Sequence, residues 1–440
     1  MTLAVLTGTF VLLLFLRVPV AFCIGLSSLA AMLCSMPATP AGMTIAQRIG
    51  MSVTSFPLLA IPFFVLAGKL LATGGVARRV VDFARVSLGF LPGGLAFTNV
   101  VANMLFGAVS GSAAAAASGI GGFMIPAMER EGYPRPYATA LTITAATTGL
   151  LIPPSNVFIV YAMVAGGVSI GALFVAGYLP GIILGLSLVA VAMVIAGRRG
   201  FGARSPRPSP SEFFRALAAI FPTLLLLVLV MGGIVTGLFT ATEASAVAVF
   251  YALGLAFAYR EVTWRDLPRV LLDTASTTGM VFLLIGTSMA MAWIFAYANV
   301  PALIEAFILG VSDNPWVILL VINLILLGVG TFMDMTPAVL IFTPIFLPVM
   351  LDLAPSLGLR PDLMPYHFGV IIVFNLCIGL CTPPVGTVLF IGCGVARLSL
   401  AELIRPLLPF FAAMVVSLLL VSYVPALSLW LPRDVFALLK

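Results

Sequence analysis

Residues 109–119 read VSGSAAAAASG. A Ser-Gly-Ser knot and five alanines interrupt a stretch that is apolar on both sides. The chain around it has 440 residues, 62% hydrophobic and 8% charged, with mean hydropathy +1.22. Soluble domains carry about 25% charge. Apolar runs of roughly 20 residues recur from end to end, the length a helix needs to cross a bilayer. The sequence therefore reads as an all-α polytopic membrane protein surrounded by lipid. The runs are continuous rather than alternating, which argues against a β-barrel. The question is why a lipid-dwelling chain places its slimmest polar stretch mid-run.

The first run, Leu3–Cys34, is too long and Leu-rich for a cleaved signal peptide and lacks a charged start, so it is expected to be the first membrane helix. Residues 35–51 then form an external connection. Further apolar segments follow at 52–72, 94–109, 113–127, 136–164, 170–197, 213–237, 241–259, 274–298, 300–311, 315–330, 336–351, 363–396 and 403–431, with an amphipathic arm at 75–90. Segments 94–109 and 113–127 are each too short to span, as are 315–330 and 336–351. Each pair is joined by a few small or polar residues and reads as a re-entrant hairpin, 94–127 and 315–351. A polar tip at membrane depth is tolerated only where it is buried in protein or lines an aqueous cavity.

With the hairpins counted as non-crossing and the N-terminus cytoplasmic, nine crossings put the C-terminus outside, in the periplasm. Of the 21 Lys and Arg, only Arg48, Arg360, Arg433 and Lys440 then fall outside, and Arg17 lies within the first run. The remainder are cytoplasmic, the bias that sets orientation in an inner membrane. The net charge of +6 thus serves topology, not nucleic acid. The cysteines, including Cys377 and Cys381 one helical turn apart, read as small apolar fillers. A metal site would need more ligands, and His367 is the only histidine.

The two halves resemble one another. GAVSGS (107–112), Pro126 and LLIPPSN (150–156) are matched by GTFMD (330–334), Pro344 and Pro348, and GLCTPPVG (379–386). Ser110 and Asp334 are 224 positions apart, and Pro153 and Pro383 are 230 apart. An extra helix at 213–237, preceded by the linker Arg204–Pro210, gives an odd number of crossings between equivalent helices. The halves, 1–200 and 238–440 around the linker and helix 201–237, are expected to be inverted repeats. Each carries a hairpin and a discontinuous helix (136–164 and 363–396), the architecture of secondary transporters. Paired prolines uncouple backbone carbonyls from the helix, and in lipid these must find a partner such as a cation. The helix after each break offers a positive N-terminal end to an anion. Gly111 allows a turn, Ser110 and Ser112 supply oxygens without bulk, and the alanines 113–117 keep the returning arm slim. Hard oxygens without a carboxylate cage suit an alkali cation better than calcium.

Isolated polar groups have competing readings. Asp334 is the only acid at a tip, suited to a cation site or to capping the helix from 335. Glu243 in FTATEAS reads as a cap or interfacial group, Arg17 as structural or snorkelling, and His367 as a surface or packing residue. Asn156 and Asn375 either bond between helices or line the path.

At these motifs the sequence resembles the large membrane subunit of the tripartite ATP-independent periplasmic (TRAP) transporters, the DctM-like proteins. The matching stretches are GAVSGSAAAAASGIGGFMIPAMEREGY, LLIPPSN, GLFTATEASAVAVFYAL, TFMDMTPAVLIFTPIFLPV, HFGVIIVFNLCIGLCTPPVG and YVPALSLWLPR. The resemblance implies an importer of organic acids, such as C4-dicarboxylates or sialic acids, coupled to two or more Na+ and moving as an elevator. It implies a first sodium between Ser110, Gly111 and Ser112 and the break carrying Ile152, Pro153 and Ser155. A second is implied between Gly330, Met333 and Asp334 and the break carrying Gly379, Thr382 and Val385. The substrate carboxylate is implied near Ser112, Asn156, Thr336, Thr382 and Gly386. The implied partners are a small membrane subunit of about four helices and a periplasmic substrate-binding protein. The alanine-rich tip departs from the family pattern, in which a further polar residue is common within 113–117, so carbonyls would complete the first site.

Three alternatives stand beside this reading. A stand-alone sodium-coupled carboxylate or anion transporter would need no binding protein. An intramembrane enzyme would need a nucleophile or metal motif, and neither HExxH nor GxSxG with partners is present. A channel is disfavoured by discontinuous helices in a repeat.

Overall fold

Arg17, Val18 and Pro19 decide the first departure from expectation. Proline lacks an N–H and disfavours helix in the residue before it. Here the chain reverses, with Arg17 exposed at φ +59°. Helix α1 (Thr2–Phe15) and helix α2 (Val20–Leu33) lie on either side. They run antiparallel, because Thr2 Oγ1 and Ser35 Oγ are 2.9 Å apart. The single membrane helix expected over Leu3–Cys34 is therefore two packed helices of 14 residues each. The structure is a computed structural model and describes residues 2–73, 75–91, 93–201, 207–260, 262–310, 312 and 314–437.

The expected external connection is instead helix α3 (Ala38–Val53), which meets α4 (Ala60–Thr73) through a turn at Pro57 with a bend of 60°. The amphipathic arm is α5 (Val76–Leu88), whose Val76, Ala77, Val80, Val81 and Ala84 form a buried stripe. The first hairpin is α6 (Gly94–Ser110) and α7 (Ala113–Arg130). The first discontinuous helix comprises α8 (Arg135–Ala146), α9 (Thr148–Leu151) and α10 (Asn156–Ala165), bent by 48° at the paired prolines. The long α11 (Ile170–Arg199) follows. Of the linker Arg204–Pro210, residues 204–206 lie outside the described residues.

The extra helix is α12 (Pro210–Val235), followed by α13 (Ala241–Ala258), the 31-residue α14 (Leu267–Tyr297) and the short α15 (Val300–Leu309). The pair expected as the second hairpin is α16 (Pro315–Phe332) and α17 (Met335–Leu353), of 18 and 19 residues; each is long and apolar enough to cross a membrane, which corrects the expectation that both are too short. The second discontinuous helix is α18 (Met364–Gly379) and α19 (Thr387–Ala396), and α20 (Leu400–Tyr423) and α21 (Ala426–Ala437) close the chain. Among the described residues seven helices are long and apolar enough to cross a membrane, or up to nine if each bent pair is one span. None of the described residues is in a strand.

Packing is reciprocal between the halves. Both arms of the first hairpin lie on α8, and both arms of the second on α18. The returning arm α7 packs on α19, and its counterpart α17 packs on α10. Away from the hairpins, α4 packs on α13 while α2 and α3 pack on α14. The Cys377 thiol donates to the Thr147 carbonyl at 3.5 Å, and these positions are 230 apart, the spacing of the paired prolines. Cys381 similarly donates to the Ile143 carbonyl at 3.5 Å, so both thiols are buried in this seam.

Two glycine seams hold the hairpins against the breaks. A Cβ on Gly149 would lie 2.3 Å from the Gly107 Cα, and one on Gly379 would lie 2.5 Å from the Gly330 carbonyl oxygen. Only glycine permits such backbone approach. A buried amide bond reinforces each seam. Asn99 on α6 donates to Thr142 Oγ1 at 2.8 Å, and Asn375 on α18 donates to Asn323 Oδ1 at 2.8 Å. Asn99 and Asn323 are 224 positions apart, the spacing of the two tips.

Candidate functional site

The Ser-Gly-Ser knot is a tight helix-to-helix turn. Gly111 ends α6 with φ +62°, a left-handed conformation that side chains resist. Ser112 is extended and caps α7, its Oγ accepting from the Ala115 N–H at 3.2 Å. The second tip is built without glycine. Met333 and Asp334 are both extended, and Asp334 occupies the cap position of α17. Its carboxylate accepts from Thr387 Oγ1 at 3.3 Å, which ties the tip to the start of α19. Its carboxylate also meets the Met335 N–H at the start of α17, so it touches both the helix it precedes and α19.

Both tips and both breaks open on one cavity of about 400 Å³. Its walls include Ser110, Gly111 and Ser112 from the first tip and Asp334, Met335 and Thr336 from the second. Asn156 and Val157 come from α10, Thr387 and Val388 from α19, and α4 and α14 close the far side. The starts of α7, α10, α17 and α19 thus meet at one space, two from each half. Helix N-termini carry partial positive charge and unpaired N–H groups, so this space suits an anion.

The expected site residues divide into two groups. Ser110, Gly111, Ser112, Asn156, Asp334 and Thr336 line the cavity. Ile152, Pro153, Ser155, Gly330, Gly379, Thr382, Val385 and Gly386 are not among the lining residues. The Thr382 hydroxyl is turned back onto the Ile378 carbonyl at 2.7 Å. The Val385 N–H donates to the Thr331 carbonyl at 3.1 Å, joining the second break to the second tip. Met333 points to a separate apolar cavity of about 340 Å³ bounded by α1, α14, α15 and α17. At the first break, a Cβ on Gly111 would meet the Asn156 amide nitrogen at 3.4 Å and the Pro154 carbonyl at 3.7 Å. Ser155 is fully buried, and neither its Oγ nor Asn156 Oδ1 has a hydrogen-bond partner. Two unpartnered buried oxygens beside a carbonyl-rich break fit a small hard cation.

The other polar groups are resolved by their contacts. Asn375 bonds between helices, whereas Asn156 lines the cavity. His367 is buried, 2.7 Å from Ser428 Oγ and 3.2 Å from the Ser422 carbonyl, and so ties α18 to α20 and α21. Glu243 completes a capping box with Thr240, accepting from its N–H at 2.8 Å. The wall residues Lys69 and Thr277 are absent from the expected site. Lys69 was legible only as a topology charge, because nothing in its local sequence says which tip it faces.

Broken helices that present their ends to one shared cavity are the architecture of a secondary transporter. The sequence model of the tripartite ATP-independent periplasmic transporter DctM component matches residues 7–427. The C4-dicarboxylate TRAP transporter large permease protein DctM of Pseudomonas aeruginosa is 41% identical, covering 86% of this chain and 86% of its own length. The sialic acid TRAP transporter large permease protein SiaM of Vibrio cholerae is 36% identical, covering 96% of each. Among solved structures, the YdaH transporter of Alcanivorax borkumensis superposes with a TM-score of 0.57 over 95% of this chain and 97% of that one. Its 15% identity makes that a likeness of fold. The chain belongs to the DctM family of TRAP transporter large permease subunits. It is a multi-pass membrane protein and not an enzyme, and it works with a small membrane subunit and a periplasmic binding protein.

Proposed function

We propose that this subunit imports an organic acid by sodium symport, with the hairpins and broken helices moving as one body past the remaining helices. The observation that carries the reading is the single cavity where four helix N-termini meet, two from each half. A carboxylate is the ligand such ends favour. The relatives named for C4-dicarboxylates and sialic acid share that group. The unpartnered oxygens of Ser155 and Asn156 support a sodium at the first break, and Asp334 with Thr387 supports a second at the other tip. The glycine seams would keep hairpin and broken helix together while they travel. Reciprocal packing supports the inverted repeat.

The membrane is the bacterial or archaeal inner membrane, with most cationic residues on its cytoplasmic side. Because α1 and α2 are antiparallel, Thr2 and Ser35 share a face, and the charge argument assigns Ser35 to the outside. The N-terminal end of α1 is then periplasmic, in place of the cytoplasmic position expected from one spanning helix. The C-terminal end remains periplasmic.

The test is uptake into proteoliposomes holding this chain and its small subunit. A binding protein loaded with labelled organic acid is added under an inward sodium gradient. Uptake that needs both sodium and the binding protein is expected. Uptake that proceeds without sodium overturns the symport, and uptake without the binding protein shows a stand-alone carrier.

A further inference from the structure

Lys69 sits in an apolar sequence, FFVLAGKLLA (63–72), where a lysine is costly unless it has a task. It lines the main cavity, and it and Asp334 are the two charged residues among the described residues that do so. Its ammonium is held by α14, donating to the Asp273 main-chain carbonyl and to Thr277 Oγ1 at 2.8 Å. The preceding residue fixes its distance from the first tip. A Cβ on Gly68 would lie 2.4 Å from the Ser110 carbonyl oxygen, so α4 and the tip touch backbone to backbone. The charge thus lines the same cavity as the Ser110–Ser112 turn and Asp334, with its ammonium anchored on α14.

From this placement we propose that Lys69 is a second anion contact, which meets the substrate carboxylate from the fixed side of the cavity. This rests on the carboxylate reading above and adds the group that opposes the hairpin tips. The helix N-termini and the tip hydroxyls belong to the body proposed to move, whereas α4 and α14 belong to the part that stays. An anion held between them is shared. The N-termini keep it in every position, and Lys69 touches it only when the tips are level with Gly68. By the charge argument Lys69 lies toward the cytoplasmic end of α4, so the shared position is the one from which substrate leaves. Lysine suits this because a flexible stem with a point charge can yield its ligand, unlike a bidentate arginine clamp. Asp273 and Thr277 hold the ammonium over the cavity, and Thr277 is a positioning residue.

The experiment compares wild type with Lys69→Met, Lys69→Arg and Thr277→Val in the reconstituted complex. Labelled succinate is the probe, or labelled N-acetylneuraminate if succinate is not carried. Half-saturation is measured on the cytoplasmic face by counterflow and on the outer face by binding-protein-dependent uptake. Lys69→Met is expected to raise the cytoplasmic value by about tenfold, the loss of one charge-assisted contact. The outer value and sodium activation should stay within about threefold, a spread smaller than one such contact. Lys69→Arg should restore most of the cytoplasmic affinity, and Thr277→Val should give a smaller shift in the same direction. A structural role would instead lower the amount of folded protein and change both faces alike. Unchanged cytoplasmic half-saturation in a folded Lys69→Met protein overturns the proposal and leaves the transport reading intact. A wild type that carries neither acid on either face overturns both.

Discussion

Asp334 and Ser112 each hold the cap position of a returning arm but do different chemistry. Ser112 caps its helix, whereas the Asp334 carboxylate is engaged with Thr387. Asp334→Ala should raise the half-activating sodium concentration by about tenfold or more, the loss of one charged contact. A sodium titration of uptake at matched protein level checks this, and an unchanged curve removes Asp334 from the ion site. Ser112→Ala should cost about 1 kcal/mol of stability through the lost cap, seen as a lower unfolding temperature in detergent. Ser112→Leu should abolish uptake by filling the cavity, with the protein still folded by size-exclusion profile. Polar residues in an apolar run announced both tips, since that contrast is local. Lys69 shows the same contrast in FFVLAGKLLA, but which tip it serves depends on Gly68 meeting Ser110 across 42 positions of chain (110 less 68).

At the scale of elements, each hairpin is locked to its broken helix by a glycine seam. Gly149→Ala would push a methyl into the Gly107 backbone, and Gly379→Ala would push one into Gly330. Each should destabilise the protein by about 1–3 kcal/mol, the range for overpacking. Gly122 on α7 has nothing within 4 Å of an added Cβ, so Gly122→Ala should be neutral and serves as the control. Thermal unfolding in one detergent compares all three. Asn375→Leu should cost about 1 kcal/mol, the scale of an interhelical bond in a membrane, by removing the shorter of the two donors to Asn323 Oδ1, at 2.8 Å, and leaving only Ser422 Oγ at 3.3 Å. The hairpins and breaks were legible in the sequence because short apolar segments and paired prolines are local signals. Helix α3 was not, and at Arg17 the break before Pro19 was a local signal but the folding back of the chain there was not. An apolar run has the same composition whether its helix continues or folds back.

At the scale of the whole molecule, the reversal at Arg17 brings Thr2 and Ser35 to the same end of the α1–α2 pair. Thr2→Cys and Ser35→Cys, in a background without the five native cysteines, should form a disulfide under mild oxidant, since the native hydroxyls are 2.9 Å apart. Each single variant should react with the same membrane-impermeant maleimide from the same face. Labelling from opposite faces would restore one spanning helix. The sequence alone determined that the chain lives in lipid, that two hairpins and two broken helices recur at a spacing near 224–230, and which polar residues mark them. Hydrophobicity, proline and glycine act within a few residues, so they can be read in order along the chain. Only the tertiary structure decided that the starts of four helices face one cavity, that equivalent positions Thr147 and Cys377 touch, and that Lys69 closes the far wall. Those relations join residues far apart in sequence, and they exist only once backbone contacts at glycine bring the helices together.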